Sequence, residues 1–317
     1  MSRTKIYCKP SVGTEQKSLP VTTMGKKDRR LMKKGVGLFT LMAMTLCLLI
    51  LSACGARQKD DAQRYVVLSP EVAEILAELG IEDRIVGLTT ECTYPPALAD
   101  IPKVGAFGAV KLESVISLNP GIVFVSGLEQ DGLAQDLSRL GFRVERVYPE
   151  SAAEILSEIS RIGEITGSED AAKTLVLNMK AEMDSIRAAN SGKSIPRVYL
   201  EIYRDPLMSV ADNSFVGELI EIAGGDNVFD RLERDYSRVK AEDVILAKPD
   251  IIICYSQDSL ANILSRKGWQ VIPAIQNGMI FFEADLDPDL IQRAGPRVIE
   301  GLHGLSMLYD QWREKVR

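Results

Sequence analysis

Histidine and cysteine are scarce in this chain. There is one histidine, His303, and there are five cysteines in 317 residues, none of them spaced as CxxC. A zinc site and a disulfide framework are therefore not expected. A Ser–His–Asp or Cys–His catalytic set is also not expected, because His303 lies beside Leu302 in a C-terminal helical pattern. We interpret His303 as a surface or packing residue.

Several nucleotide-binding and hydrolase motifs are missing as well. The sequence contains no GxGxxG, no Walker loop and no GxSxG. The segment EADLDPDL, residues 283–290, has four acids in eight residues but lacks the glycine and the later glutamate of a calcium-binding loop. We expect a solvated loop there. The missing catalytic groups favour a binding protein, without intrinsic cofactor or metal, over an enzyme.

The first 53 residues form a targeting pattern. A lysine- and arginine-rich stretch precedes an apolar run at residues 36–51, which is somewhat short for a bilayer span. The following Leu51-Ser52-Ala53-Cys54 closely resembles a bacterial lipobox. That resemblance implies residues 1–53 are a signal peptide with an N-terminal extension, Cys54 is lipidated and residues 54–63 are a tether. The alternative is a plain signal anchor with a chance cysteine.

The charge of the remaining body limits its partners. Removing the ten Lys and Arg and the two Asp and Glu of residues 1–53 from the totals of 38 and 44 leaves 28 and 42, a net charge near −14. Such a balance argues against nucleic acid or an anionic lipid surface as the main partner. We expect an extracytoplasmic, monomeric body held at the cell membrane by its lipid.

The body alternates short apolar runs with helical patterns. Runs at 64–69, 84–89, 121–126 and 142–148 predict buried strands, and the segments between them include helical patterns such as PEVAEILAELG. Strands that alternate with helices indicate βαβ units and a parallel sheet. This predicts an N-terminal α/β lobe over residues 64–150.

A helical stretch then divides the chain. Residues 151–195 show almost no strand signal, and strand–helix alternation resumes over 196–317. We therefore predict an α/β fold of two Rossmann-like lobes with parallel sheets, joined by linking helices that include a single long helix. LESVISLNPGIVFV at 112–125 also aligns without gaps to AEDVILAKPDIIIC at 241–254, matching Glu113 to Glu242, which suggests two related lobes.

Loops at the strand ends are the expected binding positions, because ligands of α/β sheets lie there and at domain interfaces. The candidate loops are 89–98, 104–110, 203–209, 234–239 and 287–298.

The order and spacing of several segments carry a resemblance to a known family. The segments are VVLSPEVAEILAELG, TYPPAL, IPKVGAF, LESVISLNPGIVFV, AGGDNVFD, AEDVILAKPDIIIC and RAGPRV. Together they resemble the periplasmic substrate-binding proteins of ABC importers, and in particular the class III fold with a helical backbone between its lobes. That class carries cobalamin and other corrinoids, ferric siderophores and haem. The likeness is greatest to the cobalamin-binding branch and spans residues 64–315.

The resemblance implies roles for individual residues. Cleft residues of the family fall on Glu91, Phe107, Tyr203 or the neighbouring Ile202, Tyr236, Asp289 and Arg293. Two exposed glutamates that dock on the permease, which works with an ATPase subunit, fall on Glu113 and Glu242. Aromatic faces suit a flat corrin, and Asp289 and Arg293 suit its amides. The alternative for Asp289 and Arg293 is a local surface ion pair.

Departures from the family leave the cargo open. Cobalamin carriers often have tryptophan where this chain has Phe107 and Tyr236, and Glu91 stands where a neutral aromatic is common. A haem carrier needs an axial ligand, for which Tyr94 is the candidate. A siderophore carrier needs basic groups such as Arg204, Arg234 and Arg293. Outside this class, a two-lobed extracytoplasmic enzyme and a purely structural lipoprotein remain as alternatives.

Overall fold

The computed structural model describes residues 63–127 and 129–316. The predicted signal peptide, the lipidation site Cys54 and nearly all of the tether lie outside these residues. Among the described helices, none combines the length and the apolar character that a membrane crossing needs.

The N-terminal lobe is built on a six-stranded sheet with the order β4-β3-β2-β1-β5-β6. All neighbouring pairs are parallel except β3 and β4, which form an antiparallel hairpin. The central strands are short runs of Val, Ile and other apolar residues buried on both faces, as a sheet covered by helices requires. The strands are β1 Tyr65–Val67, β2 Ile85–Thr89, β3 Lys103–Ala106, β4 Ala109–Val110, β5 Ile122–Val125 and β6 Arg143–Arg146.

Three helices accompany this sheet: α1 Pro70–Glu78, α2 Leu112–Ser117 and α3 Asp131–Arg139. The start of α1 follows local sequence rules. Ser69 accepts a hydrogen bond from the backbone N–H of Val72, and Pro70 occupies the first turn, where no intrahelical donor is needed. Short 3₁₀ turns lie at Glu82–Arg84 and Pro96–Leu98.

Two helices connect the sheets. They are α4, Ala152–Thr166, and α5, Glu169–Asn190, which is 22 residues long and corresponds to the predicted long helix. The helix α4 packs along α5. Gly163 permits this close approach, because a Cβ at that position would overlap the side chain of Ala172.

The C-terminal lobe contains a parallel sheet with the order β10-β7-β12-β13 and a separate antiparallel sheet with the order β11-β9-β8. Sequence patterns predicted the main strands but not the antiparallel sheet, whose strands have two to four residues. The strands are β7 Arg197–Glu201, β8 Tyr203–Arg204, β9 Leu207–Val210, β10 Asp226–Asn227, β11 Tyr236–Arg238, β12 Ile251–Cys254 and β13 Ile280–Phe282.

Helices cover this lobe, and the last of them packs against the connecting helix α5. They are α6 Phe215–Ile222, α7 Ala241–Ala247, α8 Leu260–Ser265, α9 Pro273–Gln276, α10 Asp289–Gln292 and α11 Val298–Lys315, with a 3₁₀ turn at Trp269–Val271.

The segments that repeat in sequence also fold alike. In each lobe a short helix, α2 or α7, leads through a buried proline to a fully buried strand, β5 or β12. Each of these strands pairs in parallel with the first strand of its sheet, β1 or β7. Glu113 and Glu242 are both the second residue of their helix.

Candidate ligand-binding cleft

A cleft with a cavity volume of about 180 Å³ lies between the lobes. That volume is below the range of about 300–1,000 Å³ that is usual for small-molecule sites. The N-terminal lobe supplies residues at the carboxyl ends of its parallel strands, where α/β sheets bind ligands. The lining residues are Glu71, Phe107, Ser126, Tyr148, Pro149, Glu150, Ser214, Phe215, Asp235, Tyr236, Gln292 and Ala294.

Three aromatic side chains from both lobes contribute accessible surface to the cleft. Phe107 is in the turn of the β3–β4 hairpin, Tyr148 follows β6 and is 53% exposed, and Tyr236 begins β11. Burial, with smaller effects from Tyr148 and Asp235, raises the pKa of Tyr236. Tyr236 is therefore a neutral phenol at physiological pH and presents an apolar ring with one polar end.

The charged side chains of the lining are acidic. Glu71, Glu150 and Asp235 line the cleft, and no lysine or arginine is among the described lining residues. Partial burial, followed by the nearby charges of Asp235, Glu129 and Glu150, raises the pKa of Tyr148. The cleft thus combines aromatic surface with negative potential.

Phe107 is held by hydrogen bonds on both sides of its backbone. Its N–H donates to Glu91 Oε2 at 2.9 Å, and its carbonyl oxygen accepts from Gln130 Nε2 at 3.2 Å. Gln130 is buried and also bonds the backbone of Leu68 and Ser126, at the ends of two neighbouring strands. Glu91 and Gln130 therefore fix the position of the Phe107 turn relative to the strands of the N-terminal lobe.

Asp289 and Arg293 form the local ion pair that was the alternative to ligand contact, at 2.7 Å between Asp289 Oδ2 and Arg293 Nη2. Neither lines the cleft, although their neighbours Gln292 and Ala294 do. Arg293 instead reaches the N-terminal lobe, where it donates to Glu74 Oε1 at 3.2 Å and to the carbonyl oxygen of Glu91 at 3.2 Å. Segments 89–98 and 287–298 are thus in contact, but they contact each other directly instead of both lining the cleft through Asp289 and Arg293.

Two predicted tyrosines also lie outside the cleft lining. The ring of Tyr94 lies beneath the Arg297 guanidinium, with Cζ 4.2 Å from the ring centroid. Tyr203 is 55% exposed in β8, where it pairs with Met208. Their roles in ligand binding stay predictions.

Known proteins share the sequence pattern and the fold of this chain. The family model described as "Periplasmic binding protein" matches residues 66–289. The chain belongs to the periplasmic binding protein family. It is therefore a non-enzymatic substrate-binding component of an ABC importer with the class III fold, and the two-lobed enzyme considered from sequence is excluded.

Individual members of the family show the extent of the similarity. The uncharacterized ABC transporter substrate-binding lipoprotein YvrC of Bacillus subtilis strain 168 is 29% identical, and the alignment covers 89% of this chain and all of that protein. A vitamin B12-binding protein of Vibrio vulnificus strain CMCP6 is 24% identical, with 81% and 94% covered. A crystal structure of a possible iron-binding, periplasmic solute-binding protein from Staphylococcus epidermidis ATCC 12228 superposes with a TM-score of 0.70 at 26% identity, covering 78% and 98%.

The two glutamates predicted to dock on a permease occupy equivalent positions in the two repeated segments. Glu113 and Glu242 are exposed in the first turns of α2 and α7.

His303 is exposed on α11, 3.5 Å from Glu182, as a surface residue. The described residues contain no group of His, Cys, Asp and Glu arranged to hold a metal ion, and the free Cys92 and Cys254 are buried.

Several lining residues of this periplasmic binding protein were not identified from sequence. Tyr148 is the last residue of the predicted strand at 142–148 and Glu150 lies just beyond it, so the rule used for the other strand ends indicates this region. Glu71 and Ser126 lie just beyond two further strands, where Ser126 Oγ donates to Glu71 Oε1 at 2.6 Å. Phe215, in the first turn of α6, lies outside the candidate loops.

Proposed function

We propose that this chain captures a corrinoid, with cobalamin as the leading candidate, in the interlobe cleft and delivers it to the permease of an ABC importer. The observation that supports this cargo is the composition of the cleft lining. It has aromatic side chains and three carboxylates, and none of its described residues is a lysine or an arginine. The B12-binding relative from Vibrio vulnificus is consistent with it.

The lining matches the chemistry of a corrin. A corrin is a broad, partly apolar disc edged with amides, and the rings of Phe107, Tyr148 and Tyr236 offer surfaces for its faces. The carboxylates of Glu150 and Asp235 can accept hydrogen bonds from amide N–H groups, and the exposed Gln292 amide can donate or accept. No covalent chemistry is required of these groups.

The charge of the cleft disfavours anionic ferric siderophores. Two arginines that could neutralise an anion are engaged elsewhere, because Arg293 pairs with Glu74 and Asp289 and Arg204 pairs with Asp258. Arg234 lines a separate groove that shares Tyr236 with the cleft. An anion entering the cleft would meet Glu71, Glu150 and Asp235 without a compensating cation from the described lining.

Haem fits the cleft less well because it needs an axial ligand. Tyr94 lies outside the lining, and the tyrosines inside it, Tyr148 and Tyr236, have raised pKa values that oppose a phenolate ligand. A corrinoid brings its own metal ligation and makes no such demand.

The proposed delivery uses the exposed acids at equivalent positions of the two repeated segments. Glu113 and Glu242 would face arginines of the permease, which acts with its ATPase subunit. Exposed charges of this kind set orientation and association rate more than affinity. A lipid on Cys54 would keep a monomeric body at the outer face of the cell membrane.

Ligand titration of the full-length chain in detergent tests the cargo. We expect binding of cyanocobalamin and tighter binding of aquacobalamin, which carries an additional positive charge, with weak binding of ferrichrome and haem. The Asp235→Asn variant should reduce the preference for aquacobalamin while cyanocobalamin still binds. Binding of haem or ferrichrome without binding of either corrinoid would contradict the proposal.

A further inference from the structure

A buried carboxylate of the N-terminal lobe forms ion pairs with two arginines of the C-terminal lobe. The side chain of Glu74, in α1, is 2% exposed. It accepts from Arg293 Nη1 at 3.2 Å, and from Arg297 through Nε at 3.0 Å and Nη2 at 2.6 Å. These charge-assisted bonds join segments more than 200 positions apart in the chain.

Of these two arginines, Arg293 is the one whose contacts continue towards the cleft. Arg293 Nη2 also donates to the carbonyl oxygen of Glu91 at 3.2 Å, and Glu91 Oε2 accepts from the backbone N–H of Phe107 at 2.9 Å. Arg297 shares Glu74 but contacts the ring of Tyr94 and has no bond to Glu91. A continuous path thus runs from α10 through Arg293 and Glu91 to an aromatic residue of the cleft.

We propose that Arg293 is a positioning residue that fixes Glu91, and through it the Phe107 turn, when the two lobes are joined. The Phe107 side of the cleft is then set partly by the opposite lobe, so the spacing of the lobes and the placement of this ring are linked. The effect of Arg293 on ligand affinity rests on the cleft being the binding site proposed above. The effect of Arg293 on the placement of Phe107 does not depend on that proposal.

The local geometry makes a selective test possible. Replacing Arg293 by glutamine leaves Glu74 paired with both donors of Arg297, so the buried carboxylate keeps a cation. Replacing Arg297 leaves Glu74 paired with Arg293. Each variant therefore retains one interlobe ion pair, and the Glu91 contact distinguishes them.

The experiment uses the full chain in detergent with a fluorinated phenylalanine at position 107 and no ligand. We expect Arg293→Gln to shift or broaden the ¹⁹F resonance, while Arg297→Gln leaves it near its original position. Glu91→Ala should reproduce the effect of Arg293→Gln. Glu91→Gln retains an amide oxygen as acceptor, so its resonance should stay near the original position. The double variant Arg293→Gln/Glu91→Ala should show no further shift.

An unchanged resonance in Arg293→Gln, or equal shifts in Arg293→Gln and Arg297→Gln, would overturn the proposal. Cyanocobalamin titration then measures the consequence for binding, where we expect Arg293→Gln to raise Kd about three- to tenfold and Arg297→Gln to raise it less. Equal rises in Kd for the two variants would also contradict it. If the unsubstituted chain does not bind cyanocobalamin, the proposed cargo fails while the ¹⁹F result still decides the role of Arg293.

Discussion

Phe107 and Tyr236 line one cleft from opposite lobes, although they are more than 120 positions apart in the chain. Phe107 is held in its hairpin turn by Glu91 and Gln130, and Tyr236 by its pairing with Val210 in an antiparallel sheet. The two rings are thus presented by different backbone elements, the β3–β4 hairpin and β11. Removing either ring should alter the cleft without unfolding a lobe.

The first prediction concerns these rings. Phe107→Ala and Tyr236→Ala should each weaken cyanocobalamin binding at least about tenfold, because each loses the apolar contact of an aromatic ring, on the order of 1.5–3 kcal/mol. Titration followed by corrin absorbance measures the effect, with circular dichroism to verify folding. Leu177→Ala is the comparison, since Leu177 is exposed on α5 outside the lining. Wild-type affinity in both cleft variants would contradict the proposed site.

Sequence patterns indicated most strands of the two larger sheets. The strands β1, β2, β5 and β6 coincide with the predicted runs at 64–69, 84–89, 121–126 and 142–148, and β7, β12 and β13 lie where strand–helix alternation was predicted to resume. These strands are buried within layered α/β units, so composition and strand–helix alternation both point to them. The strands β8 and β11 have the sequences YR and YSR, which contain no apolar run, so composition does not indicate the antiparallel sheet.

The predicted loops identified the lining of the cleft only in part. Phe107 and Tyr236 lie in predicted loops and do line it. Arg293 lies in a predicted loop too, but its contact with Glu74 spans 219 positions and leaves no trace in local sequence. Side-chain partners of this kind depend on how the lobes meet, which hydrophobic periodicity does not encode.

The second prediction concerns docking. Glu113→Gln and Glu242→Gln should each slow cobalamin uptake by cells while leaving the Kd for cyanocobalamin unchanged, because both side chains are exposed and lie outside the cleft lining. We expect the double variant to be more impaired than either single variant. Asp243→Asn is the control on the same helix, one position beyond Glu242. Uptake that is unaffected in the double variant would remove these acids from the docking surface.

The third prediction concerns a close backbone contact near the cleft. Gly217, in the first turn of α6, faces the carbonyl of Ala211, and a Cβ at this position would overlap that oxygen. Gly217→Ala should lower the free energy of unfolding by about 1–3 kcal/mol, as overpacking does. Gly132→Ala in α3 is the control, because nothing lies near its Cβ position. It should be neutral or stabilising by up to about 1 kcal/mol, and chemical denaturation measures both.

The last prediction concerns a buried charge network at the end of β7 and β12. Glu201 is fully buried and accepts from Arg266 Nη1 at 2.6 Å and Nη2 at 2.7 Å, while Arg266 Nη2 also pairs with Asp258 at 2.9 Å. Burial raises the pKa of Asp258, but hydrogen bonds led by Asn262 and Arg266 outweigh it and lower the pKa to about 2.

A carboxylate with a lowered pKa in the folded state stabilises the protein above its unfolded pKa of about 3.9 and loses that contribution as pH falls through its folded pKa. The unsubstituted protein should therefore lose on the order of 2 kcal/mol of unfolding free energy between about pH 4 and pH 2 through Asp258 alone. Asp258→Asn should be less stable at neutral pH and should show a smaller loss over that interval. Asp184→Asn is the exposed control, since its pair with Arg187 is solvent-screened and should leave the pH profile unchanged. Identical acid profiles for Asp258→Asn and the unsubstituted protein would show that Asp258 is not the charged centre of this network.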